Sequence, residues 1–106
     1  MAHIDKTPVC RDRVRRIARG FGWVDHRLVR EHYVEKCSQG ALALYLFLVT
    51  VADAEGLSWW GERSLAARLG MEADRLRQAR AELEAADLVA FEPPVWQVLG
   101  LRGDDR

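Results

Sequence analysis

The stretch SLAARLGMEADRLRQAR, residues Ser64 to Arg80, decides how this chain is read. Two short apolar-periodic segments meet at Gly70. Leu65, Ala66 and Leu69 recur on one side of the first, and Leu76 and Ala79, followed by Leu83, recur on one side of the second. The spacing therefore predicts one helix over 62–69 and another over 72–86, each burying a single stripe. A glycine between them suits the left-handed turn that ends a helix. With Leu76 turned inward on a helical wheel, Asp74, Gln78 and Ala81 point away from the core and Arg75 and Arg77 lie on the two shoulders. Arg80 falls nearer the inner face.

Working outward, Asp25 is a good N-cap for a helix from His26 to Lys36, carried by Leu28, Val29, Tyr33 and Val34. Ser38 caps a second helix, Gln39 to about Ala54, which is apolar on every side and must be covered all round. Leu57 to Trp60 reads as a short aromatic strand. Beyond the central pair, Leu88 to Phe91 and Val95 to Leu101 flank Glu92, Pro93 and Pro94 as a hairpin. Residues 1–20 are expected to form a basic, partly flexible arm, 21–101 a single domain with an extra N-terminal helix, and 102–106 a polar tail. The expected class is mainly α with a small β-hairpin.

The chain has 106 residues, 49% of them hydrophobic, enough for one modest core. Sixteen Lys plus Arg balance sixteen Asp plus Glu, so bulk basicity gives no pointer to nucleic acid. The distribution is polarised instead. In the arm, Lys6, Arg11, Arg13, Arg15, Arg16 and Arg19 face only Asp5 and Asp12; from Ala81 onward, Arg102 and Arg106 are outnumbered by Glu82, Glu84, Asp87, Glu92, Asp104 and Asp105. Cys10 and Cys37 have neither disulfide-framework nor zinc spacing, and reduced thiols are expected. The apolar run Ala41 to Ala52 is too short for a spanning helix, and the basic N-terminus is followed by no apolar leader core, so a soluble cytoplasmic protein is expected.

The order helix, strand, helix, helix, strand, strand over Gly40 to Leu101 resembles the winged helix-turn-helix family. Leu65, Ala66, Leu69 and Leu76, spaced about Gly70, stand where that family has a buried aliphatic, a small residue at the helix crossing, a second aliphatic and the inward anchor of the recognition helix. Within the family the chain looks most like small domains of bacterial replication-initiation and replisome-organising proteins, and like regulators carried on mobile elements. The resemblance implies binding of double-stranded DNA in transcription regulation or replication. Two departures stand out. Asp87 occupies the place where a glycine often ends the recognition helix, and the wing carries Glu92, Pro93 and Pro94 but no cation for phosphate.

On this reading Arg75, Arg77 and Gln78 face the groove, where Arg and Gln make bidentate bonds to guanine and adenine edges. Arg63 and Arg68 are placed to touch phosphates, and the arm's Arg11, Arg13, Arg15 and Arg16 are further candidates. The bland alternative is a solvated helix face with Arg80 paired to Glu84. Trp59 and Trp60 should face opposite ways; the outward one, with Trp23 and Trp96, offers a dimer patch, a base-stacking platform or cover for the N-terminal helix. His26 and His32 would lie about 240° apart on a helix, which does not make a metal site. No nucleophile, carboxylate pair or phosphate loop is evident, so neither catalysis, a cofactor nor a small-molecule site is expected. The apolar second helix and the aromatics at 21–23 predict a homodimer joined through the N-terminal region. The alternative to DNA is a protein-interaction or dimerisation module built on the same scaffold.

Overall fold

The computed structural model describes residues 7–13, 15, 20 and 22–102. After a 3-10 turn at Arg11–Arg13, the ordered elements are α1 (Arg27–Arg30), a second 3-10 turn (Val34–Lys36), α2 (Gln39–Val51), β1 (Leu57–Trp59), α3 (Glu62–Leu69), α4 (Ala73–Ala85), β2 (Val89–Glu92) and β3 (Val95–Val98). Among the described residues, four α-helices thus pack with a three-stranded antiparallel sheet ordered β1-β3-β2. The hairpin pairs Phe91 with Trp96, and β1 adds on the other side of β3, Ser58 opposite Trp96. The peptide joining Pro93 and Pro94 at the hairpin tip is cis. The arm segment around Ile17, its Arg16 and the end of the tail lie outside the described residues.

The core forms where α2, α4 and the inner sheet face meet. Leu44 and Leu48 from α2, Leu65 from α3, Leu76 and Leu83 from α4, Leu88 and Trp96 are all fully buried. Each such side chain contributes roughly 1.5–3 kcal/mol of apolar burial. Trp96 is therefore a core residue, not part of an exposed aromatic patch; its indole N–H donates to the Trp60 carbonyl at 3.1 Å.

The continuous helix expected from His26 to Lys36 is broken. α1 stops at Arg30, His32 takes φ +66°, and the chain resumes as the 3-10 turn. A straight helix would spread Leu28, Tyr33, Val34 and Cys37 over more than half its circumference. The break lets Leu28 enter the core while the other three pack against it. The N-cap of α1 is His26 and not Asp25, whose carboxylate instead accepts from the Arg27 backbone N–H at 2.9 Å and pairs with the Arg27 guanidinium at 2.7 Å. Ser38 Oγ likewise accepts from the Ala41 N–H at 3.2 Å, capping α2 as expected.

The outer face of α2 is not covered by α1. Leu46 remains 63% exposed, and Trp23, Val24 and Val29 are also open.

Candidate nucleic-acid interface

The site grows from the turn between α3 and α4. Gly70 takes φ +65°, and two backbone bonds close the end of α3: the Gly70 N–H donates to the Ala67 carbonyl and the Met71 N–H to the Ala66 carbonyl. This is the Schellman arrangement, which a glycine enters without a Cβ penalty. Asp87 ends α4 in the same way at φ +64°, with its N–H on the Glu84 carbonyl and that of Leu88 on the Leu83 carbonyl. Its carboxylate accepts from Arg102 Nε at 2.6 Å.

Leu65 and Ala66 on α3 and Leu76, Ala79 and Leu83 on α4 are buried, so Asp74, Arg77, Gln78 and Ala81 form the exposed face of α4. The orientation read from the sequence holds. The cations on that face are not free, however. Arg77 pairs with Asp74 on its own helix and, through Nε, with Glu62 of α3 at 3.5 Å. Arg80 is drawn inward over the Phe91 ring, 4.7 Å from its centroid, with Glu62 and Glu84 each 3.8 Å away.

Arg75 turns toward the start of α2. Its Nη2 donates to Ser38 Oγ at 3.3 Å and its Nη1 lies 3.9 Å from Glu82. The Glu82 carboxylate also accepts from the Ser38 N–H and Oγ–H at 2.7 and 2.9 Å. These two bonds, with the Arg75 charge adding, hold the Glu82 carboxyl below the usual range. A Cβ on Gly40 would meet the Arg75 guanidinium, so a larger residue there would displace the far end of that side chain. Arg75 is thus occupied in bracing α4 against the N-cap of α2, a role its place on the helical wheel did not announce. Burial pushes the neighbouring Cys37 thiol up, and Glu82 adds to the shift.

Of the two arginines on the outer side of α3, Arg68 lies over the rings of Phe47 and Trp60, 5.7 Å from each centroid, and those rings meet edge to face. Arg63 is exposed with no carboxylate partner among the described residues. Both arginines are exposed. In the arm, Arg11, Arg13 and Arg15 are exposed.

Trp59 projects from the outer sheet face, 59% exposed, while Trp60 is half-buried. A cleft of about 450 Å³, not signalled by any motif, opens between Trp23, Tyr45 and the loop at Asp53 to Gly56. Among the described residues no group of three His, Cys, Asp or Glu side chains is placed to hold a metal ion, and no helix is long and apolar enough to cross a membrane. Comparison with known proteins finds no matching family model, no similar curated protein and no similar solved structure.

Proposed function

We propose that this chain is a winged helix-turn-helix module that binds double-stranded DNA, as a transcription regulator or a replication-associated factor. The observation that carries the reading is the α3–Gly70–α4 unit, seated on a β1-β3-β2 sheet with Leu76 inward and Gln78 outward. That connectivity is the one the family resemblance implies. α4 would enter the major groove with Arg77 and Gln78 toward base edges, while Arg63 and Arg68 meet phosphates. Arg75 belongs to the brace, and the acidic, proline-bearing wing makes no phosphate contact.

The carboxylate partners of α4 do not exclude this use, because exposed ion pairs are worth only about 0–1 kcal/mol and exchange readily for phosphate. Fluorescence anisotropy on labelled duplex DNA across a salt series tests the reading. Affinity should fall steeply with salt, and Arg77→Ala or Gln78→Ala should flatten sequence preference. Equal loss on every sequence would move that residue to the phosphate class. Absence of binding at low salt would favour a protein-interaction module, a reading supported by exposed Trp59 and the neutralised arginines.

A further inference from the structure

Glu62, at the first position of α3, divides its carboxylate between two of the three arginines of α4: Oε2 lies 3.5 Å from Arg77 Nε and Oε1 3.8 Å from Arg80 Nη1. The two arginines differ in what they can reach. Arg80 is only 20% exposed, its buried Nη1 has no hydrogen bond, and its guanidinium stays on Phe91. Arg77 is 49% exposed on the open face of α4. Its second partner, Asp74, accepts from Nη1 and is 97% exposed, whereas Glu62 stands on a second helix and is 38% exposed.

Resting on the DNA-binding reading above, we infer that Glu62 is a specificity-determining positioning residue: it occupies the Nε edge of Arg77 so that the terminal fork faces the groove, and its charge opposes sequence-independent phosphate contact. A lone phosphate gains little at this point, because it exchanges one anion for another beside a carboxylate that remains. A guanine edge, neutral and offering two coplanar acceptors to the fork, keeps its bonds without that repulsion.

The test uses the full chain and two labelled probes: a duplex of mixed sequence, and a duplex recovered from a randomised pool by selection on the parent chain. Glu62→Gln keeps size and one acceptor but removes the charge. It should tighten mixed-sequence binding up to about eight-fold near 0.1 M salt and steepen the salt slope by about 0.9, the equivalent of one extra phosphate. The selected duplex should gain less, so the ratio between the probes falls. Glu62→Asp, which keeps the charge, should retain the parent slope. Asp87→Asn removes the same charge at the far end of α4, at a left-handed position that asparagine tolerates, and should leave the slope unchanged.

Should Glu62→Gln lower only the melting temperature, with both slopes and the ratio those of the parent, Glu62 is a brace between α3 and α4 and the inference is overturned. It is overturned equally if Asp87→Asn, or Glu62→Asp, steepens the slope as much. A parent chain that binds neither probe at low salt removes the DNA reading itself, and this inference with it.

Discussion

Two glycines share a left-handed backbone but not a neighbourhood, and alanine at each should separate the two costs. Gly70, at φ +65°, has nothing within 4 Å of where a Cβ would stand. Gly56, at φ +86°, would place its Cβ 2.4 Å from the Val98 carbonyl oxygen, on the segment where Val98 N–H donates to the Gly56 carbonyl at 2.8 Å. A left-handed non-glycine residue costs about 1–2 kcal/mol, and the stiffer unfolded chain returns about 0.4–1. Gly70→Ala should therefore destabilise by about 1 kcal/mol and lower Tm by roughly 4–8 °C. Gly56→Ala carries the same backbone term and must also displace β3, for a total of about 3 kcal/mol or more. Gly61 has an ordinary φ of −74° and open space, so Gly61→Ala should stay within about 0.5 kcal/mol of the parent. Urea titration followed by circular dichroism reads all three. If Gly56→Ala costs no more than Gly70→Ala, the close approach of Gly56 to Val98 does not exist in solution and the reasoning fails.

Ala66 is 7% exposed where α3 meets the core, so Ala66→Leu should overpack the helix crossing and cost about 1–3 kcal/mol, measured by the same titration. Arg75→Ala should lower Tm in a thermal melt, because its guanidinium is engaged with Ser38 and Glu82 and donates to Gln78 Oε1 at 3.4 Å. Asp25 is pulled down to about 2, first by the Arg27 guanidinium and then by the Arg27 backbone N–H, and Glu82 is lowered by Ser38. Carboxyls whose folded pKa is depressed stabilise above their unfolded values, and that stability disappears as pH falls through the folded ones. Thermal melts should thus lose stability below about pH 4, and Asp25→Asn should flatten the part of that loss between about pH 4 and 2. Sedimentation equilibrium at micromolar protein should give the dimer expected through the N-terminal region, weakened by Trp23→Ala at the exposed indole; a monomer mass for the parent would end that expectation.

What the sequence disclosed was local. α3, its glycine turn and α4 were legible because apolar spacing and Gly70 act within a few residues, and the proline-centred hairpin was marked in the same way. The break at His32 carried no such mark, since a left-handed histidine is imposed by Leu28, Tyr33, Val34 and Cys37 turning to one core. β1 was visible as a strand, but its pairing with β3 joins Ser58 to Trp96, far beyond the reach of any local pattern. At the candidate site the wheel correctly turned Gln78 outward. It could not place Arg75 on Ser38, nor divide Glu62 between Arg77 and Arg80, because long side chains choose partners across elements rather than along one.

The middle strand of the sheet is also the last of the three to be synthesised. Until Val95–Val98 has left the ribosome, Leu57–Trp59 lacks its backbone partner and the space beside Leu44 and Leu48 lacks Trp96. The α3–α4 pair can form early from local contacts, but the sheet that supports it must wait. A nascent chain that has emerged only as far as Pro94 would therefore display α3 and α4 with their apolar undersides unsealed, in the state most exposed to aggregation and proteolysis. Arrival of one short strand closes it, so the commitment to a folded module falls at the moment that strand emerges.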